Sequence, residues 1–287
     1  MSGSITLENR FGVNKMELIS LKYAIFVIVL LVLYYCFPKK YRWYVLLAGS
    51  MAYYVIICKW YVLFIIFTIC TTYGSTIWID KLLKKQNAIV KSHKEDWDRQ
   101  TRKDYKEKGR KKRVAVMLFA LLCNFGILAF LKYIPYAGEL GLLLPLGISF
   151  YTFQSMGYVM DVYREIVEPE KNFLKVALFV SFFPQIIQGP IAIYDKLAGQ
   201  LYEGHSLRLK NLQKGALLVL WGVMKKLVIA DRAVNIINFV MDKPMDFSGT
   251  YVFFAAVVYA LQLYADFSGG IDIVRGIAEM FGITMST

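Results

Sequence analysis

The sequence predicts an all-α, polytopic integral membrane protein, with about eight membrane-embedded helices, some broken or re-entrant, around a polar tunnel. Hydrophobic residues make up 57% of the 287 residues and the mean hydropathy is +0.46, whereas soluble domains contain about 45–50% apolar residues. Several uncharged runs are long enough to cross ~30 Å of hydrocarbon as helices. Polar residues interrupt two further apolar segments, and such breaks survive in a membrane only where protein or a cavity surrounds them.

Apolar segments follow one another along the chain, so we predict a single membrane domain over residues 1–287. Residues 1–15 are polar, and the first apolar run is followed by Pro38, Lys39 and Lys40 rather than by a small-residue cleavage site, which predicts a retained anchor. Four runs carry no charge, at 23–37, 43–58, 60–79 and 114–131, and further apolar segments lie near 141–160, 173–194, 212–230 and 250–270.

The positive charge is concentrated in one stretch. Residues 81–113 contain fourteen basic and five acidic residues, a net charge of +9 out of +13 for the chain. Positive loops stay on the cytoplasmic side, so we predict that 81–113 and the basic turn at 39–42 are cytoplasmic and that the amino terminus lies outside. An alternative role for 81–113 is to bind anionic lipid or phosphate groups. Nucleic acid is not expected as a partner, because stacking aromatic residues are sparse there.

Three polar stripes lie inside the apolar segments. Spacings of three and four residues place the members of each stripe on one helical face, the second only if its helix continues through Pro184. The stripes are Tyr151, Gln154, Tyr158 and Asp161; Ser181, Gln185 and Gln188; and Tyr259, Gln262 and Asp266.

The polar stripes have two explanations. Ionisable groups at membrane depth are costly and indicate function, so we predict a tunnel lining for substrate formed by Gln154, Asp161, Gln185, Gln188, Gln262 and Asp266. The alternative is that these side chains hydrogen-bond between helices and fix their packing. In that case Asp161 and Asp266 form structural pairs, for example with Arg164 or a lysine.

Two segments are predicted to break their helices. Pro184 removes a helical donor and Gly189-Pro190 ends the helix, so this region is predicted to be re-entrant. Ser268-Gly269-Gly270 permits a bend and close backbone approach, and the residues after it are predicted to form an amphipathic helix that lies at the membrane interface.

Lys225 and Lys226 lie in the middle of an apolar run. They are predicted to snorkel at the end of a crossing, or to belong to a helix that lies obliquely near the surface. A basic pair at this position is also a candidate for contact with the phosphate groups of a donor substrate.

Soluble-enzyme motifs are missing from the sequence. It contains no dinucleotide-binding, P-loop or zinc-protease motif. The two histidines, His93 and His205, are predicted to be solvated loop residues. The four cysteines lie in apolar segments without ligand spacing and are predicted to be buried, inert thiols, with no metal site.

Four ordered stretches resemble bacterial membrane-bound O-acyltransferases, in the branch of alginate O-acetylases and D-alanyl-lipoteichoic-acid transfer proteins. The resemblance covers nearly the whole chain and is most specific over 145–283. The stretches are PLGISFYTFQSMGYVMDVYR (145–164), FFPQIIQGP (182–190), WGVMKKLVIADR (221–232) and QLYADFSGGIDI (262–273).

This resemblance implies a multi-pass enzyme of the bacterial cytoplasmic membrane, with a tunnel through the bilayer. It implies transfer of an acyl group, such as acetyl, from a cytoplasmic thioester such as acetyl-CoA to a hydroxyl of an extracellular polysaccharide or wall polymer, with no bound cofactor. It also implies membrane lipid and an extracytoplasmic acyltransferase as partners. Members of this branch have histidines in Trp-His contexts further on, so we expect the catalytic histidines beyond Thr287 and no turnover by the 287 residues alone.

Two other functions remain open from the sequence. Broken helices around a polar interior also occur in transporters, although the two breaks lie unevenly in this chain and no internal repeat is evident. A non-catalytic membrane scaffold for a partner acyltransferase is the third hypothesis.

Overall fold

The computed structural model describes residues 18–93, 96–133 and 145–285, and all regular structure in these ranges is helical. This confirms the all-α, polytopic membrane class. The amino-terminal residues, Thr287 and part of the predicted segment 141–160 lie outside the described residues. In chain order the α-helices are α1 (Leu21–Cys36), α2 (Arg42–Cys58), α3 (Val62–Ser92), α4 (Arg99–Tyr133), α5 (Ile148–Tyr163), α6 (Phe173–Ser181), α7 (Phe183–Gln188), α8 (Tyr194–Glu203), α9 (Leu209–Met224), α10 (Asp231–Met241) and α11 (Gly249–Met280).

Within the described ranges, three helical stretches are long and apolar enough to cross a membrane: Lys39–Ser92, Arg99–Tyr133 and Gly249–Met280. Leu21–Cys36 and Phe173–Gln188 are shorter apolar helical stretches. The total of about eight embedded elements stays a prediction.

The chain divides into two compact units. The first contains Leu47–Ile186 and Ile191–Tyr202. The second contains Met16–Leu46, Ile187–Pro190 and Glu203–Thr287. The single membrane domain predicted over 1–287 stays a prediction.

In the first unit, the basic stretch 81–113 is largely helical rather than an irregular loop. The end of α3 and the start of α4 form an antiparallel hairpin. Its closure depends on Gln86, which is buried and donates from Nε2 to the carbonyl oxygen of Lys106 at 3.0 Å. Gly109 permits this approach, because a Cβ there would lie 2.5 Å from Gln86 Oε1.

The break near Pro184 is confirmed, but it lies at Phe182, two residues before the proline. Helix α6 ends at Ser181 and α7 begins at Phe183, so Pro184 occupies the first turn of a new helix, where its missing N–H costs little. The condition under which Ser181, Gln185 and Gln188 would share one helical face is therefore not met, because Ser181 ends one helix and the two glutamines lie on the next. Helix α7 ends at Gln188, immediately before Gly189-Pro190, as predicted.

Side chains from other helices complete the hydrogen bonding at this break. The carbonyl of Phe179 is among the last four of α6, which lack helical donors, and Gln154 Nε2 donates to it at 2.8 Å. The N–H of Phe183, at the start of α7, donates to Ser50 Oγ at 3.1 Å. Two backbone groups at the break are thus satisfied by side chains inside the protein, as broken helices in a membrane require.

In the second unit, α9 continues directly through a π-helical segment (Lys225–Ala230) into α10. This long helix packs against α11 through glycines spaced seven residues apart on both partners. A Cβ on Gly276 would lie 2.6 Å from the Gly215 carbonyl oxygen, and Gly222 and Gly269 face each other in the same way. The two backbones therefore approach each other closely at two levels.

The predicted bend at Ser268-Gly269-Gly270 is wrong. Helix α11 runs without interruption from Gly249 to Met280, so the separate interfacial helix predicted after the glycines is wrong as well. A glycine inside a helix costs only about 1 kcal/mol relative to alanine, and close packing on α9 offsets that cost. The close backbone approach that the sequence also predicted at these glycines is confirmed, because a Cβ on Gly269 would lie 2.8 Å from the Gly222 carbonyl oxygen.

Candidate functional site

The polar stripe of α5 is buried in the first unit. Gln154 is 3% exposed and bonded to the end of α6, as described above. Tyr158 accepts a hydrogen bond from the Glu170 N–H at 2.8 Å, and the ring of Tyr151 packs edge-on against Tyr54. These contacts are the interhelical hydrogen bonding and packing that the sequence left open as the alternative to a tunnel lining.

Asp161 lies on the last turn of α5, beyond the apolar run, and is half-buried. Burial raises the pKa of its carboxyl above the ordinary value. Arg164 lowers this pKa and Asp195 raises it. Asp161 therefore lies among charged groups at the end of the helix.

The two glutamines of the second stripe have different surroundings. Gln185 is buried at 2% exposure. Gln188 is half-buried and its side chain lies against Gly270 of α11, where an added Cβ would collide with it. Gly270 thus leaves space for Gln188, which lies close to α11 one turn after Asp266.

The stripe of α11 is more open. Tyr259 is 50% exposed, and Gln262 is half-buried. Asp266 forms a hydrogen-bonded ion pair with Lys226, and these two side chains are 34% and 26% exposed. The structural pair with a lysine, which the sequence left open as an alternative, is therefore present. Both of its side chains are partly exposed on the surface of the described part of the chain.

A second ion pair lies beside the first. Lys225 Nζ is 2.6 Å from Asp272 Oδ2, and Arg275 Nη1 is 3.5 Å from Asp272 Oδ1. The two lysines, both aspartates and Arg275 together form what we call the lysine–aspartate cluster. Both lysines donate to carboxylates, so the two phosphate-contact candidates already have partners in this structure.

The π segment explains how two consecutive lysines reach the same helix. Lys225 and Lys226 are its first two residues, and both donate to carboxylates on α11. Such segments occur often at functional sites. The sequence did not predict the π segment, because no residue pattern in Lys225–Ala230 marks a π-helix. The one signal in this region was the pair of lysines within an apolar run.

His205 is more constrained than a solvated loop residue. Its N–H donates to Tyr34 Oη at 3.0 Å, and its carbonyl accepts from Arg42 Nη1. The φ angle of Gly282 is +82°, and a Cβ there would lie 2.5 Å from His205 Cβ. The side chain lines a polar cavity of about 270 Å³, with Ser206, Arg208, Asn211, Glu279, Gly282 and Thr284.

Glu279 is the buried carboxylate of this cavity. It is 7% exposed, and it accepts from Lys214 Nζ at 2.9 Å and from Thr284 Oγ1 at 3.2 Å. The other histidine, His93, is exposed, as the sequence predicted, and its ring stacks on Trp97.

The cysteines are free thiols, but only Cys58 is buried. Cys36 and Cys70 are exposed and Cys123 is intermediate, so the prediction of buried thiols is wrong for the first two. Faces of membrane-embedded helices that contact lipid are apolar, and a thiol is compatible with them. Among the described residues, no group of three or more histidine, cysteine, aspartate or glutamate side chains could hold a metal ion.

Fold and site together define a polytopic, all-α membrane protein whose apolar helices carry a cluster of ion pairs. No protein-family model matches the chain. Over 207 residues the chain is 31% identical to the peptidoglycan O-acetyltransferase of Helicobacter pylori, covering 59% of this chain and 39% of the relative. Over 142 residues it is 36% identical to the probable alginate O-acetylase AlgI of Pseudomonas syringae pv. tomato, covering 49% and 27%.

A similar match, 34% identity over 143 residues, links the chain to the probable alginate O-acetylase AlgI of Pseudomonas aeruginosa. These matches confirm the resemblance to membrane-bound O-acyltransferases of the alginate O-acetylase branch. The chain spans about two fifths or less of the length of these curated relatives.

Proposed function

We propose that this chain acts in O-acyl transfer, most simply of an acetyl group. The donor is a thioester such as acetyl-CoA on the cytoplasmic side, and the acceptor is a hydroxyl of an extracellular polysaccharide or wall polymer. The observation that carries the proposal is the similarity to proteins named as O-acetyltransferases of peptidoglycan and alginate.

The lysine–aspartate cluster supports a polar path through the membrane. A partly exposed ion pair in direct contact with hydrocarbon is costly, so the accessible side of Lys226 and Asp266 favours water, substrate or protein over lipid. Gln262 lies one turn before Asp266 on the same helix. We propose that these three side chains line the route of the acyl group or of the acceptor.

The chemistry also needs a general base for the attacking hydroxyl. The chain has two histidines, one exposed in the hairpin and one at the polar cavity. We propose that neither is the base, because His93 and His205 both lie in polar connections at the ends of helices rather than within an apolar segment. The hypothesis of a transporter loses support, since α11 lacks one of the two breaks on which it depended.

The proposal is tested in a bacterial strain whose own surface-polymer O-acetyltransferase gene is deleted. The complete native reading frame that contains these 287 residues is expressed, rather than the 287 residues alone, and labelled acetyl on the surface polymer is measured. We expect incorporation to return and to change by less than about twofold in His205→Ala. No incorporation with correctly inserted protein contradicts the transferase proposal, and loss of transfer in His205→Ala makes that histidine a candidate base.

The proposed orientation has its own test. In a variant without Cys36, Cys58, Cys70 and Cys123, a single cysteine is placed by Ser92→Cys near the end of α3. If the hairpin is cytoplasmic, a membrane-impermeant thiol reagent should label this cysteine only after lysis. Labelling in intact cells would reverse the orientation and would place the donor on the wrong side.

A further inference from the structure

The positive charge of the α3–α4 hairpin is not spread evenly along it. We define the collar as residues 81–86 and 106–113, next to the apolar parts of α3 and α4, and the tip as residues 87–105. The collar contains nine basic residues and one acidic residue, whereas the tip contains five basic and four acidic residues. The collar therefore carries +8 of the net +9, and the tip is nearly neutral.

The fold brings the two parts of the collar together. The contact of Gln86 with Lys106 and Gly109 aligns the two helices, so residues 81–85 lie beside the segment that follows Lys106. All eight basic side chains other than Arg113 are exposed: Lys81, Lys84, Lys85, Lys106, Lys108, Arg110, Lys111 and Lys112.

Internal partners neutralise little of this charge. Lys84 pairs with Asp80 and Lys111 pairs with Glu107, but these lysine side chains remain 65% and 77% exposed. Arg113 differs, because it is buried and bonded to Glu165 at 2.7 Å. Arg113 therefore links α4 to Glu165, which follows the end of α5, and does not belong to the exposed basic surface.

The position of the collar selects its partner. Eight helical residues span about 12 Å, so most of the collar lies within about one Debye length, roughly 10 Å, of the end of the apolar run at 114–131, and the described residues of the tip are farther along the two helices. Anionic headgroups attract basic residues only over this distance. A soluble acidic protein could reach the whole hairpin. Binding to such a protein would therefore give no reason for the basic residues to be concentrated in the collar while the tip is nearly neutral.

We propose that the collar binds the phosphate groups of anionic phospholipids in the leaflet that surrounds it, in the folded protein and independently of the acyl-transfer function. Lysine ammonium groups and the arginine fork donate to phosphate oxygens. Eight exposed cations from two helices form one such surface. The positive-inside rule acts on the chain during insertion, whereas this binding persists afterwards.

The test compares two variants with the same loss of charge. The collar variant carries Lys81→Gln, Lys85→Gln and Lys112→Gln, and the tip variant carries Lys91→Gln, Arg99→Gln and Lys103→Gln. All six positions are exposed on helices, and glutamine is a good helix former, so both variants should fold. Each purified protein is reconstituted in phosphatidylcholine bilayers, and the association of spin-labelled phosphatidylglycerol is compared with that of spin-labelled phosphatidylcholine.

We expect the parent protein to prefer phosphatidylglycerol by about twofold or more, and the tip variant to keep that preference. The collar variant should lose most of it, and so should the parent in 1 M salt, where the Debye length falls to about 3 Å. No preference in the parent would mean that the charge serves insertion alone, and equal losses in both variants would mean that net charge rather than the collar attracts the lipid. Either result overturns the proposal.

Discussion

Helices α5 and α11 carry the same series of polar side chains, a phenol, an amide and a carboxylate, in different surroundings. On α5 the amide of Gln154 is 3% exposed and completes the end of a broken helix. On α11 the amide of Gln262 is half-buried, and Asp266 forms a partly accessible ion pair. The two stripes therefore differ in what their side chains bond to. Where a polar side chain bonds to a backbone group of another helix, we interpret the stripe as structural, and where it pairs with a partly exposed charged side chain, the stripe is a candidate site.

Glycines give the largest expected contrast between the two helices. Gly276→Ala on α11 should destabilise the protein by about 1–3 kcal/mol, since its Cβ would lie 2.6 Å from the Gly215 carbonyl oxygen, which cannot easily move. Gly157→Ala on α5 is the matched control, because its Cβ would meet nothing within 4 Å. Thermal unfolding in detergent measures both. A stable Gly276→Ala protein would show that α9 and α11 are not closely packed.

The two glutamines, Gln154 on α5 and Gln262 on α11, give the next largest expected contrast. Gln154→Leu leaves the Phe179 carbonyl without its donor, so we expect a loss of about 1–3 kcal/mol and low abundance in the membrane, with normal activity per folded molecule. Gln262→Leu should keep normal abundance, because Gln262 is half-buried on an open face. If both variants lose stability equally, the proposed division between the two stripes is wrong.

The activity of Asp266→Asn tests the open stripe directly. Loss of the carboxylate leaves Lys226 without its charged partner. If the pair lines the reaction path, transfer should fall by more than about tenfold, or 1.4 kcal/mol, at near-normal protein level. Labelled acetyl per unit of inserted protein is the measurement. Low abundance with normal specific activity would instead assign the pair to packing, as on α5.

The sequence predicted most of the helical architecture and the break near Pro184, because long apolar runs and proline act locally. It did not predict the environment of the stripes, since periodicity shows which side chains share a face but not what that face contacts. The bend at Gly269 was predicted wrongly because a sequence does not show which helix packs against a glycine. Gly269 therefore looked like a break rather than a contact with Gly222. Glycines spaced seven apart in both α9 and α11 were a usable signal, whereas the π segment had none.

The carboxylate that ends the α5 stripe should give the smallest effect. Burial raises the pKa of Asp161 above its ordinary value, against the opposing charge of Arg164. A carboxyl whose pKa is higher in the folded than in the unfolded state binds more protons when folded, so its contribution to stability falls as the pH rises from about 4 through the raised pKa. Asp161→Asn removes this titration.

We therefore expect Asp161→Asn to melt slightly above the parent at pH 7 and at nearly the same temperature near about pH 2.5, where the parent carboxyl is protonated in both states. Melting temperatures in detergent across this pH range provide the measurement. Asp266→Asn is the control, because loss of a partner for Lys226 should lower rather than raise the melting temperature at pH 7. A lower melting temperature for Asp161→Asn at neutral pH would mean that Arg164 outweighs burial, and Asp161 would then join Asp266 as an ion-paired carboxylate.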